Sequence, residues 1–379
     1  MKILHVIPYY TPKRGGDVNV CNNLAKELSR RGHEVTIITS NFEFDEPYAK
    51  LIEKEGVKVL TFHCYSSLFL FLYTPSMGKW LENNLKTFDM VHIHDLRSYQ
   101  SIVSYRYACK FNVPFIIQPH GSTLRMISKE KLKLLYDVFF GNKIMKSANS
   151  VIAVSKEERS YDLEMGAKKV EVIYNGVETD LYDNLPEYGR FKENISVENK
   201  IILYLGRINK SKGLATLIRA FSLLKEDYSE KVTLIIAGSD ENYKNVLEKL
   251  VKNLDLCDDV KFIGFVSDED KISAFRDSDL FVHSVRYMGG VGLAPIEAVL
   301  AGTPIVVSEG CGELISDIDC GYLVKFGDEI ALKDALIYVL KNPVEAKKKT
   351  DLCKDYILKN FKWEVVAENV ERLYLNIKN

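Results

Sequence analysis

Short apolar runs alternate along this chain with stretches whose apolar residues recur every three to four positions. Lys2–Ile7 is such a run, and Pro8-Tyr-Tyr-Thr-Pro-Lys-Arg-Gly-Gly16 after it is rich in turn formers. Cys21, Leu24, Ala25 and Leu28 then fall at i, i+3, i+4 and i+7, one face of a helix. Gly32 stands where a helix C-terminus takes a left-handed residue. Val35–Thr39, Lys58–Phe62, Met90–His94, Pro114–Gln118, Ser150–Val154 and Val170–Tyr174 read as further strands, with helical stretches between them. Apolar strands alternating with helices predict a parallel sheet covered on both faces.

The cycle then restarts. Asp183 to Lys200 is polar, holds Pro186 and Gly189, lacks a period and reads as a linker. Ile201–Leu205 opens a second set that continues with Val232–Ala237, Val260–Ile263, Asp279–His283 and Pro304–Val307. Leu214, Leu217, Ile218, Phe221 and Leu224 form one helical stripe, and Trp363, Val366, Ala367, Val370, Leu373 and Ile377 form another near the end. The chain is therefore expected to be α/β, with two doubly wound domains, 1–182 and 183–360. Their ligand-binding edges would face each other across a cleft, since ligands in such sheets sit beyond the carboxyl ends of the strands.

Length and composition agree. The 379 residues suit two domains, and 46% hydrophobic with 27% charged residues is ordinary globular usage. A net charge of −1 argues against a dedicated nucleic-acid binder. No apolar run approaches a membrane span, and Leu68–Tyr73 is far too short for one. The N-terminus lacks the order of a signal peptide, so a cytoplasmic protein is expected. Seven scattered cysteines without a C-x-x-C pair suggest neither a disulfide framework nor a zinc site, and reduced thiols are the simpler expectation.

Charge is unevenly placed. Residues 97–169 hold 13 Lys/Arg and 6 Asp/Glu, hence +7, so the rest of the chain carries −8. Within this region Lys129 to Phe140 is a basic, amphipathic segment. It reads either as a surface for a membrane or an anionic acceptor, or as a sheet-covering helix with a solvated lysine face. The second is the commoner meaning of a charge run and is preferred.

Four segments carry candidate chemistry. Gly206-Arg-Ile-Asn-Lys-Ser-Lys-Gly213 lies between a strand and a helix, where backbone N–H groups and the helix dipole favour anions. Arg207 and Lys212 add two cations, a set suited to a diphosphate, though the order is not that of a Walker A loop. Gly289-Gly-Val-Gly-Leu-Ala-Pro-Ile-Glu297 places glycines before a helix and is expected to put Glu297 in its first turn. There the carboxylate either accepts hydroxyl hydrogen bonds from a ligand or merely complements the dipole. Gly15-Gly16 opens the first helix with Asp17 as a candidate cap, and two glycines alone are weak evidence for a dinucleotide. Gln118-Pro-His120-Gly121 follows a strand end and makes His120 the best-placed catalytic histidine. His92 and His94 share a strand face, His94 with Asp95 at the strand end, but no third ligand is implied by spacing, so no metal is expected.

Taken together, these pieces resemble a retaining glycosyltransferase of family 4, with the two-Rossmann GT-B fold. The resemblance runs over essentially the whole chain. It is carried by Gly15-Gly16, His120-Gly121, Val172-Ile-Tyr-Asn-Gly-Val177, Gly206-Arg207 with Lys212-Gly213, and Gly292-Leu293 to Glu297 with Gly302-Thr-Pro304. Phe361-Lys-Trp363 resembles the start of the family's final helix, which implies that 361–379 return to the N-terminal domain. The resemblance implies a UDP- or GDP-linked sugar held by the C-terminal domain, with Arg207 and Lys212 on its diphosphate and Gly16 adding a backbone contact. Glu297 would bond the ribose, and Gly264-Phe265-Val266 would run beside the base. Gly290, Val291, Gly292 and Leu293 would approach the donor through their backbone. His120 would meet the donor sugar near its 6-position, and Asn175 would be structural. The acceptor would be a glycan or lipid-linked glycan, with peripheral contact at the inner membrane face. No metal and no cofactor beyond the donor substrate is expected.

One departure stands out. The family's motif has two glutamates eight positions apart, and the first falls on Gly289. That opens an alternative: a catalytically weak or inactive nucleotide-sugar-binding partner subunit. A sugar-nucleotide 2-epimerase ranks below both, because it needs acid/base carboxylates of which no clear set is visible.

Overall fold

The chain divides into Met1–Gly176 with Phe361–Asn379, and Val177–Asn360. This computed structural model describes residues 1–14, 16–68, 71–123, 130–285, 292–311 and 313–378.

In the first unit the apolar runs become strands β1 (Lys2–Val6), β2 (Glu34–Ser40), β3 (Lys58–Phe62), β4 (Met90–His94), β5 (Phe115–Gln118), β6 (Ser150–Ala153) and β7 (Val170–Val172). They pair in parallel in the order β3-β2-β1-β4-β5-β6-β7. The order reverses between β1 and β4, where the crossovers diverge and leave a crevice at the carboxyl ends. Strands β4 to β6 are buried along their whole length, as expected of a sheet covered on both faces.

The first helix, Gly16–Arg30, buries Cys21, Leu24, Ala25 and Leu28 as its spacing predicts. Gly32 follows at φ 88°. The closing helix, Trp363–Lys378, lies against it in the same unit, with Ala367, Val370, Leu373 and Tyr374 in a core shared with Leu24 and Leu28. Glu371 fastens the pair by accepting from Arg31 and from His33 Nε2 at 2.7 Å. At its start, Trp363 lies over Gly176, where a Cβ would overlap the indole, and Tyr174 stacks on Phe361 with centroids 5.3 Å apart.

The second unit holds β8 (Lys200–Leu205), β9 (Val232–Ala237), β10 (Val260–Gly264), β11 (Leu280–His283), β12 (Ile305–Ser308) and β13 (Tyr322–Val324). Their order, β10-β9-β8-β11-β12-β13, places the reversal between β8 and β11. The helix Leu214–Asp227 covers this sheet with the predicted stripe, all of it buried.

Three features depart from the sequence expectations. Residues 183–200, read as a linker, contain the helix Arg190–Asn194 with Phe191 buried. Asp277 caps it, accepting from Gly189 N and Phe191 N, both at 2.7 Å. The apolar stretch at 66–73 forms a small antiparallel pair, Ser66–Leu68 with Phe71–Tyr73. Cys320 and Cys353, expected as reduced thiols, are joined as a disulfide with Cα atoms 4.9 Å apart. The partners lie 33 residues apart, so no local spacing signals them.

Candidate functional site

The loops that follow β8 and β11 flank the reversal of the second sheet, and they carry the two motifs singled out above. After β8 the chain passes Gly206 and Arg207, forms a short turn at Lys210–Lys212 and enters the long helix at Leu214. Gly213 has φ 65°, and a Cβ there would overlap the carbonyl oxygen of Ser284, just past β11. Ser284 Oγ donates to Lys212 O at 3.3 Å. The basic loop is thus pinned against the end of the neighbouring strand. Glu241 bonds to this loop from outside it. It pairs with Arg207 Nη1 at 2.7 Å and accepts from Asn209 Nδ2 at 2.7 Å. Bonds from Asn209 and Arg207, with the charge of Lys212 behind them, hold its carboxyl below the usual range. Behind the loop His283 is buried, and burial plus the Lys212 charge push its pKa down to about 3. The site is therefore cationic, and its nearby histidine stays neutral.

Gly292 leads into the helix Leu293–Leu300. Glu297 falls in the second turn of this helix and not in the first, so it is not placed to complement the dipole. Its Oε1 accepts from Lys271 Nζ at 2.8 Å, with both side chains about four-fifths buried. Lys271 was not found by sequence reasoning. Val266 is half-buried beyond β10 and follows the exposed Phe265. Gly289, Gly290 and Val291 lie outside the described residues, as does Gly15.

In the first unit, His120 follows β5 in a left-handed conformation, φ 55°. Its Nε2 lies 2.9 Å from His94 Nδ1, and His94 Nε2 lies 2.8 Å from His5 Nδ1. His92 stacks on His94 with centroids 4.2 Å apart and bonds the Tyr374 hydroxyl through Nδ1 at 2.7 Å. His5 on β1 and His92 and His94 on β4 therefore flank the reversal of the first sheet. Burial pushes His120 down to about 4, His5 to about 3, and His92 and His94 well below the ordinary histidine value. All four are neutral at pH 7. A neutral imidazole donates once and accepts once, so the chain His120–His94–His5 must run in one direction. His5, Cys21 and His94 bring their donor atoms within 4.8 Å of one another, a grouping the sequence spacing did not show.

The peptide after His120 is held from another side. Glu158 completes an S-x-x-E cap begun by Ser155, whose Oγ accepts from Glu158 N at 3.0 Å. Its buried carboxyl accepts from Val154 N at 2.8 Å and from Gly121 N. Burial pushes Glu158 up to about 7, and Asp162, one turn along, up to about 8 through burial and the Glu158 charge. Arg97 closes the same loop: it binds Asp137 through two bonds of 2.9 and 2.7 Å and donates to the carbonyls of Ser122 and Thr123. Asp17 lies in the first turn of the first helix; its Oδ2 accepts from Tyr9 Oη at 2.7 Å and its charge acts on His120. Glu158, Arg97 and Glu241 were missed because each meets its partner across more than 20 residues of chain. Only the S-x-x-E spacing could have flagged one of them.

Comparison with known proteins gives these geometries a context. A model described as Glycosyltransferase Family 4 matches residues 14–181, and one described as Glycosyl transferases group 1 matches residues 187–359. An uncharacterized glycosyltransferase of Methanocaldococcus jannaschii is 27% identical over 395 residues, covering 100% of this chain and 99% of that protein. A phosphatidyl-myo-inositol mannosyltransferase of Mycobacterium leprae is 26% identical over 390 residues, covering 99% of this chain and 96% of its own. Among solved structures, Anabaena HepE in complex with UDP superposes with a TM-score of 0.80 at 20% identity, covering 99% of this chain and 100% of that one. WaaG, a glycosyltransferase involved in lipopolysaccharide biosynthesis, gives 0.68 at 16% identity, with 98% and 99% covered. Two parallel sheets with these orders, the likeness to GT-B structures and the two matched models agree: the chain belongs to glycosyltransferase family 4, with the GT-B fold.

Proposed function

We propose that this glycosyltransferase moves a sugar from a UDP- or GDP-linked donor to a glycan or lipid-linked glycan, with retention of configuration and without a metal. The observation that carries the reading is the cationic loop Arg207–Lys212, pinned by Gly213 at the reversal of the second sheet. As the glycosidic bond breaks, the sugar becomes oxocarbenium-like and negative charge grows on the departing phosphate. Two fixed cations and backbone donors there stabilise the transition state more than the ground state. In this reading the leaving phosphate takes the proton of the attacking hydroxyl on the same face, so no protein nucleophile is needed. Glu297 holds the ribose, Val266 borders the base, and the backbone of 290–293 approaches the donor. His120 contacts the donor sugar, and Gly16 of the first unit is assigned to the diphosphate by the same resemblance. A cytoplasmic enzyme in peripheral contact with the inner membrane face fits an acceptor of this class.

Gly289 supports a second reading, a nucleotide-sugar-binding partner subunit of weak or no activity, because the first motif carboxylate is missing. One panel separates the two. UDP- and GDP-sugars are scored for diphosphate release, with Lys212→Ala alongside. Release from one donor, lost in the variant, supports transfer. Binding without release against every acceptor tried, with release appearing in Gly289→Glu, supports the partner subunit.

A further inference from the structure

Glu297, assigned above to the donor ribose, is held by a partner from another helix. Its Oε1 accepts from Lys271 Nζ at 2.8 Å, with both side chains about four-fifths buried. Lys271 belongs to the helix Asp268–Arg276, which starts just past Val266. Ser267 caps this helix, its Oγ accepting from Asp270 N at 3.1 Å. One turn beyond Lys271, Phe275 O accepts from Thr303 Oγ1 at 2.6 Å, and Thr303 N donates to Ala298 O at 2.9 Å. The helix after the base segment and the helix of Glu297 are thus tied together at Thr303, without help from Lys271. Removing the lysine leaves that tie in place.

What the lysine adds is chemical. A carboxylate withdrawn from water without a cation gains by taking up a proton. Once protonated, one of its oxygens becomes a donor, which suits hydroxyls arriving as donors less well. An ionised carboxylate only accepts, through two oxygens with about four lone-pair sites. One ammonium on Oε1 uses one such site, and hydroxyl bonds to the ionised group are charge-assisted. Water screens an exposed pair until it is worth little. This pair is mostly out of water, so the ammonium has a firm hold on the direction of the carboxylate.

We propose that Lys271 is a positioning residue, which keeps Glu297 ionised and turned to accept from the ribose hydroxyls, and that the site thereby selects ribonucleotides over deoxyribonucleotides. The inference rests on the ribose assignment of Glu297 made above and names the residue on which that selectivity depends. A site built to bond a hydroxyl rejects the analogue that lacks it, because its own buried group is left unpaired.

The test is calorimetry on the full chain with UDP, GDP, their 2′-deoxy analogues and inorganic diphosphate. Lys271→Met, Lys271→Arg and Glu297→Gln are the variants. The parent is expected to prefer the ribonucleotide to its deoxy analogue by roughly tenfold or more, the scale of a hydrogen bond to a charged group. Lys271→Met should lose most of that preference and Lys271→Arg should keep most of it, while inorganic diphosphate binds all of them alike. The readout is a ratio of two affinities on one sample, so partial loss of folded protein does not alter it. A preference that Glu297→Gln abolishes and Lys271→Met leaves unchanged sinks the proposal alone. Equal weakening of ribonucleotide, deoxy analogue and inorganic diphosphate in Lys271→Met overturns it too, since the lysine would then be merely structural. Tighter ribonucleotide binding in that variant would make Lys271 a competitor of the ribose and also overturn it. A parent that binds ribose and deoxyribose forms alike, or neither, sinks the ribose assignment itself and the proposal with it.

Discussion

The imidazoles of His94 and His120 lie within 10° of parallel and share a hydrogen bond of 2.9 Å between Nδ1 and Nε2. Because His94 is bonded in turn to His5, the proton position on His5 constrains that on His120. His120 Nδ1 has no hydrogen-bond partner among the described residues, so its protonation is set from behind. Changing His94 to Phe should release the His120 tautomer, visible as altered 15N shifts of its ring. Donor turnover should fall by up to about 100-fold, the scale on which a misplaced group costs rate. A His120 spectrum unchanged in that variant would contradict the relay.

Glu158 fixes the peptide that follows. Its pKa is raised from the ordinary 4.5 to about 7 by burial, so between these values the folded state holds a proton that the unfolded state has lost. Its contribution is fully present below pH 4.5 and is lost as pH rises through 7. Glu158→Gln removes that dependence. The melting temperature of the variant, relative to the parent, should therefore rise between pH 5 and pH 7.5. The buried histidines act in the opposite sense. His5 and His120, lowered to about 3 and 4, cost stability as pH falls below 6.5, and this acid limb should survive in Glu158→Gln.

Glu241 occupies Arg207 and Asn209 in this structure, so under the proposed function a diphosphate would compete with it. The ion pair is exposed and worth at most about 1 kcal/mol. Glu241→Gln should tighten UDP or GDP binding by up to about fivefold in calorimetry. In contrast, Lys212→Ala should lower diphosphate release by on the order of 100- to 1000-fold, as loss of one charge-stabilising donor does.

Gly213→Ala tests the pin between the basic loop and β11. Its Cβ would strike the Ser284 carbonyl, and φ 65° disfavours any side chain. The expected cost is about 1 kcal/mol or more of stability, since alanine is strained at positive φ. Nucleotide affinity should drop with it, and an unchanged affinity would show that the loop binds without the pin.

Most of the sheet strands were legible as short apolar runs: Lys58–Phe62, Met90–His94 and Val232–Ala237 have the bounds those runs predict. What escaped was short or non-local. Tyr322–Val324 is three residues long with an exposed centre, so it has neither run nor clean alternation. The helix at Arg190–Asn194 depends on Asp277, 88 positions from the Gly189 it caps. At the site, the loop glycines and cations were visible because they are contiguous. Lys271 on Glu297, Glu241 on Arg207 and Glu158 on Gly121 were not, since only the fold brings them together. Glu297 was put one turn too early because the helix was expected to start nearer to it, whereas it already begins at Leu293 and Glu297 is its fifth residue.

The closing helix sets an order of events on the ribosome. Val177–Asn360 emerges as a continuous stretch and has all its strands in hand before residue 361 is made. The first unit begins earlier yet lacks Val370, Leu373 and Tyr374, which fill the gap beside Leu24 and Leu28 and give His92 its hydroxyl partner. Domains usually mature in the order of synthesis. Here the earlier-made unit waits with an open apolar flank until residues 363–374 are made, so its packing is completed only after the later unit has been synthesised.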